Sequence, residues 1–138
     1  MEVLVAIESS PNSFKALERA VSIVKNEGGN LTVITIAEML LGLEEIFDYE
    51  VVHKELLALS TKTIDTAKEY CTAQKITAKY KILEGQSPAD AILEYAENNP
   101  VDVMVVGSRG KKGLNRFLLG SVALKIVSHA KCSVFVVR

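Results

Sequence analysis

The sequence has no apolar run approaching the roughly 20 residues that cross a bilayer as a helix, which argues against a helical membrane protein. Its opening, MEVLVAIESS, lacks the basic start and long apolar stretch of a secretion signal. Cysteine is scarce: Cys71 and Cys132 stand 61 positions apart, with no CxxC and no Cys/His cluster. That spacing excludes a disulfide framework and a zinc site, and reads as reduced core residues of a cytoplasmic protein. His53 and His129 are isolated, with no partner at metal-ligand spacing. Internal repeats, low-complexity tracts and linkers are also missing, so residues 1–138 are expected to form a single domain. Two nucleotide motifs are absent. No GxxxxGK[ST] occurs, which excludes a P-loop by its signature, and no GxGxxG follows the first apolar run.

Acidic residues are absent after Asp102. The net charge is −1, yet 7 of the 16 Lys and Arg residues and none of the 17 Asp and Glu lie in residues 103–138. A basic segment can serve nucleic acid, but Phe117 is the lone aromatic in the loop at its centre, too few for stacking bases. What is there instead is glycine. Val103–Val106 reads as a buried strand, and Gly107, Gly110, Gly113 and Gly120 follow in one loop before a helix opening at Ser121. Glycine lets a ligand approach bare backbone. Unpaired amides at the following helix start, with the positive end of its dipole behind them, suit phosphate. Arg109, Lys111, Lys112 and Arg116 add positive charge. The stretch reads as a cradle for a small polyphosphate.

The remainder alternates strand and helix. Val3–Ile7 and Leu31–Ala37 are short continuous apolar runs suited to strands covered on both faces. Between them, Ser10 and Pro11 have the order of an N-cap and first helical residue, and Phe14, Leu17, Val21 and Val24 recur at helical spacing until Gly28-Gly29-Asn30. Residues 38–55 mix Leu, Ile and Phe with acids, are longer than a usual connection and read as a lid or contact surface or, in preference, as the irregular opening of the next helix. Lys54 to Gln74 carries a stripe of Leu56, Leu59, Thr63, Ala67 and Tyr70. A third strand spans Thr77–Glu84. Ser87-Pro88-Ala89-Asp90 has the form of a capping box, and its helix stops near Asn98. Asp102–Val106 is the fourth strand, and Val122, Ile126, Val127 and Ala130 give the last helix its apolar face. Ser133–Val137 is the fifth strand. Five strands and four helices in alternation predict a three-layer α/β fold with a parallel sheet.

Gly107-x-x-Gly110, nine residues, then Gly120-Ser121, placed between VMVV and a helix, resembles the ATP-binding subgroup of the universal stress protein family. The likeness runs from LVAIE to SVFVV. It implies a Rossmann-like sheet of the adenine-nucleotide alpha hydrolase type, in the order 3-2-1-4-5, with ATP, and magnesium on its phosphates, between strands 1 and 4. By that resemblance Val106, Gly107, Arg109 and Gly110 line the ribose and α-phosphate. Gly120, Ser121 and Val122 hold the outer phosphates, Ile36 packs on the adenine, and Glu8 lies beside the base. Ile36 reads equally as plain core, and Ser121 as an ordinary N-cap. Glu8 departs from the family's usual Asp, which puts the adenine contact in question. Ala123 stands where some members offer a hydroxyl.

The resemblance also implies a homodimer through the edge strand Ser133–Val137, with no Pro before it as the family usually has. The function expected is a small cytoplasmic ATP-binding regulatory module for stress responses, with a protein partner the sequence does not identify and no nucleic acid. Two alternatives stand beside it: a slow ATP hydrolase or phosphotransferase, and a nucleotide-free dimeric adaptor if Glu8 blocks the base. No nucleophile–base set is recognisable, so no catalytic residue and no protein metal ligand is assigned.

Overall fold

The computed structural model describes residues 1–39, 48–109 and 118–138. Nine elements follow in the order β1 (Glu2–Ala6), α1 (Pro11–Glu27), β2 (Asn30–Glu38), α2 (Tyr49–Ala73), β3 (Ala78–Gly85), α3 (Pro88–Asn98), β4 (Val103–Gly107), α4 (Ser121–His129) and β5 (Ser133–Val137). Each strand pairs in parallel with its neighbours, in the order β3-β2-β1-β4-β5. The expected strand order is therefore what is found.

The apolar runs are central because both faces are covered. On one face α1 and α2 bury Leu17, Val21 and Ile64 against Val3, Val5, Val33 and Val105. On the other, α3 and α4 bury Ile92 and Ile126 against Leu4, Ile34, Met104 and Val106. Alternate residues of one strand thus serve opposite layers, as the pleat requires. The helices start where their polar side chains allow. Ser10 accepts from the Ser13 amide at 3.3 Å, Asp48 from Glu50 at 3.0 Å and Ser87 from Asp90 at 3.3 Å, each taking up an orphan donor of a first turn. α1 ends at Gly28 and Gly29, both at positive φ (80° and 113°), conformations glycine adopts freely.

Two details differ from the apolar stripes read from sequence. Leu59 is exposed while Ser60, Thr63, Ile64, Ala67 and Cys71 are buried, so the face of α2 that meets the sheet runs through Ser60 and leaves Leu59 outside it. Val127 is also exposed, and Ala123 takes its place against the sheet beside Ile126. Of residues 38–55, the part from Tyr49 onward is helix. Residues 40–47 lie outside the described residues.

The topology creates one special place. The chain leaves β1 toward α1 on one face, and the residues after β4 lead to α4 on the other. The strand order reverses between these two neighbours, which opens a crevice beyond their carboxyl ends.

Candidate functional site

The two loops flanking the crevice are tied down from three sides. After β1, the Ser13 hydroxyl accepts the Glu8 amide at 2.6 Å, and Ser13 is buried. This folds the first turn of α1 back under the strand exit. After β4, the Arg109 amide donates to Asn12 Oδ1 at 3.1 Å, bridging the loops across 97 positions of sequence. The buried Ser108 donates its amide to the Val137 carbonyl at 2.7 Å, extending the β4–β5 ladder by one residue. Its own carbonyl accepts the Gly120 amide at 2.7 Å. That last bond brings the two ends of the glycine loop together. Gly107 and Arg109 thereby come beside the start of α4.

The start of α4 differs from those of the other three helices. Its N-cap is Gly120, which is buried and has no side chain to offer, and no side-chain hydrogen bond caps it. The first amides of the helix have no carbonyl four residues back to bond, so they are the donors an anion satisfies. Ser121 is the first helical residue and is exposed. It is therefore not the N-cap; its hydroxyl is not spent on capping. Gly107 is bare for a measurable reason: a Cβ there would stand 2.8 Å from Asn12 Oδ1, a distance real contacts do not reach.

The other anticipated residues fall around this centre. Val106 is fully inside β4 in the α3/α4 layer, and half-buried Ile36 and Val122 pack on the same layer. Ile36 lies two residues past Ile34, the partner of Ala6, and so at the level of Glu8. Glu8 follows the β1 exit, and among the described residues its Oε1 is buried without a hydrogen-bond partner. A buried acceptor left unmatched is costly, and a ligand donor such as an exocyclic amino group matches it. The uncapped helix start and the unmatched Glu8 oxygen both fit an amino-bearing nucleotide. Gly110, Lys111, Lys112, Gly113 and Arg116 lie outside the described residues.

Sequence reasoning missed Asn12, Ser13 and Ser108. In the loop after β1 the sequence marks Ser10–Pro11 as a helix start, and nothing in a linear reading pairs position 12 with 109.

The full chain, residues 1–138, matches the family model described as the universal stress protein family. The chain belongs to the universal stress protein family. Universal stress protein YxiE of Bacillus subtilis (strain 168) is 31% identical to it over 146 residues, covering 99% of this chain and 98% of YxiE. Among solved structures, universal stress protein UspA from Lactobacillus plantarum superposes with a TM-score of 0.81 at 25% identity, over 100% of this chain and 97% of that one. The universal stress protein from Archaeoglobus fulgidus in complex with dAMP gives 0.74 at 21% identity, over 100% and 98% of the two chains. The two solved universal stress proteins share the fold found here.

Other places in this universal stress protein suit a nucleotide less well. A cleft of about 470 Å³ lies at the opposite end of the sheet, lined by Leu93, Val101, Asp102, His129 and Cys132 among others. α3 and α4 both end there, so it faces the negative ends of two helix dipoles, the wrong sign for phosphate. His53 Nε2 lies 2.8 Å from Glu84 and stacks on Tyr49, and His129 Nδ1 meets the Lys125 carbonyl at 2.9 Å. Among the described residues no group of three His, Cys, Asp or Glu is disposed to hold a metal.

Proposed function

We propose that the protein is a regulatory module of the stress response that binds ATP in the crevice between β1 and β4. One observation carries the reading. The Gly120–Ser108 hydrogen bond brings the β4 exit beside the start of α4, whose first turn has no side-chain cap. The adenine nucleotide bound by the Archaeoglobus fulgidus relative supports the ligand class.

In this reading the α4 amides and the Ser121 hydroxyl hold the outer phosphates, and Gly107, Arg109 and Gly110 line the ribose and α-phosphate. Ile36 and Val106 give the base an apolar floor, and Glu8 accepts from its amino group. Magnesium rides on the phosphates, with no protein cage of its own. The module works in the cytoplasm as a homodimer through β5, and passes its nucleotide state to a protein partner.

Replacing Gly120 with Val tests the placement. A branched side chain fills the space where phosphate meets backbone, so calorimetry is expected to show ATP binding lost. Unchanged affinity sinks the placement. Mass spectrometry of small molecules released from the denatured wild-type protein tests the ligand itself, with ATP or ADP expected.

A further inference from the structure

We infer that Asn12 is a positioning residue of the cradle, a clamp that holds the β4 exit, Gly107 to Arg109, against α1 beside the start of α4. The inference rests on the nucleotide reading and names a device within that site.

Asn12 sits in the first turn of α1, where the helix does not need it. Ser10 already caps that turn, and Ser13 already reaches back to Glu8. Asn12 instead turns its carboxamide out of its own helix and accepts the Arg109 amide at 3.1 Å. The oxygen is the right end of the amide for that contact, because a backbone N–H donates to an acceptor and the NH₂ group is not one. The same oxygen also faces Gly107, whose missing Cβ is what lets it approach. Two consecutive features of the β4 exit, a bare α-carbon and a donated amide, are thus explained by one side chain.

The consequence is positional. Arg109 begins the stretch leading to Gly110, while Ser108 beside it is held by Val137 and holds Gly120. With Asn12 in place the β4 exit is fixed on both flanks, to α1 and to β5. Without it, the planar peptide joining Ser108 to Arg109 keeps the Gly120 amide on its carbonyl but loses the tie on its N–H, so the β4 exit is held on one side of that peptide in place of two. Preorganised donors bind better because ordering them is not charged against binding. Asn12 touches Arg109 and Gly107, and acts on the nucleotide through them.

Four proteins test this: Asn12→Ala, Asn12→Asp, Gly107→Ala and the double variant Asn12→Ala/Gly107→Ala. Amide hydrogen exchange reads the clamp directly. Arg109 is expected to be protected in the wild type and in Asn12→Asp, which keeps an acceptor oxygen, and to exchange freely in Asn12→Ala. Calorimetry with ATP is expected to show about a five- to tenfold loss of affinity in Asn12→Ala, the scale of one net hydrogen bond. Gly107→Ala weakens ATP in the wild-type background, where its new methyl meets Asn12. It is expected to add little once Asn12 is Ala, so the cycle is non-additive. Native ATP affinity in Asn12→Ala, an unprotected Arg109 amide in the wild type, or an additive cycle overturns the clamp. A wild type that binds no adenine nucleotide overturns the nucleotide reading, and the clamp's purpose with it. Failure of the variants alone overturns only the clamp.

Discussion

At the scale of single residues, Glu8 is where this chain departs from its family's usual chemistry and where the structure shows a cost. Its Oε1 is buried with no partner among the described residues. Leaving a buried acceptor unsatisfied costs about 1–3 kcal/mol, and such costs gather at binding sites, where a ligand repays them. Glu8→Met keeps the volume and removes both oxygens. It is expected to raise the stability of the ligand-free protein by about 1 kcal/mol, read as a higher urea midpoint at unchanged slope. The same change is expected to weaken ATP. A variant no more stable than the wild type would mean that the oxygen is satisfied in solution. Ser121 tells a complementary story. Sequence alone left it between N-cap and ligand contact, and the decision came from backbone geometry: the capping position belongs to Gly120. Asn12 was beyond sequence altogether, because the residue it serves is set by the fold.

At the scale of elements, most of the fold was legible. Pro at the first helical position, Ser before it and Gly after the last turn are local signals, and α1 and α3 begin where those signals stand. The start of α2 was not, since Asp48 sits among acidic and apolar residues that fit no single period, and its cap could be recognised only from the bond to Glu50. Between elements, α3 and α4 are joined by an ion pair, Asp90 to Lys125 at 2.7 Å. The hydrogen bond from Lys125 holds the Asp90 carboxyl below its ordinary value of 3.8; the Ser87 hydroxyl helps, and desolvation opposes. The sign follows from linkage. A carboxyl acidified by folding stabilises the native state above the unfolded value, and that contribution is lost as pH falls through the range below 3.8. Because both side chains are exposed, the effect is small. Urea titrations between neutral pH and about pH 3 are expected to fall less steeply for Asp90→Asn than for the wild type. Parallel curves would deny the pair any role in acid sensitivity.

Across the whole molecule, the two edges of the sheet are built differently. β3 carries exposed Lys79 and Lys81, charges of the kind that guard an edge against pairing. β5, SVFVV, has no charge within it. Its Phe135 is 42% exposed, with the Arg19 guanidinium 5.6 Å from the ring centre, and neighbouring α4 exposes Leu124 and Val127. An unguarded apolar edge beside exposed apolar side chains is what a second copy covers. Sedimentation equilibrium at micromolar concentration is expected to give two chains per particle, and Phe135→Glu to give one. A monomeric wild type would remove the dimer from the reading. The edge also reaches the site, because the Val137 carbonyl holds the Ser108 amide whose own carbonyl holds Gly120.

If ATP binds as proposed, whether it is turned over depends on what the crevice offers beyond phosphate contacts. Fast phosphoryl transfer needs in-line attack, neutralisation of developing charge and a group that orients the nucleophile. The sequence offers positive charge in this stretch at Arg109, Lys111, Lys112 and Arg116. It offers no orienting group there. From Gly107 to Val127 the chain has no Asp, Glu, His or Gln. Across the crevice, Asn12 Oδ1 is engaged by the Arg109 amide and the Ser13 hydroxyl by the Glu8 amide, which leaves Glu8 as the one carboxylate of these described loops. In the nucleotide reading Glu8 lies at the base end, remote from the γ-phosphate. General acid–base assistance is typically worth about 10²–10⁴-fold in rate, so turnover without it is expected to be slow, though not zero, since charge stabilisation persists. A single-turnover assay with radiolabelled ATP and protein in excess is expected to give hydrolysis well below about one per second, the lower end of ordinary enzyme rates. A rate above that, abolished by Ser121→Ala, would make the protein an ATP-using enzyme and its binding a step in catalysis.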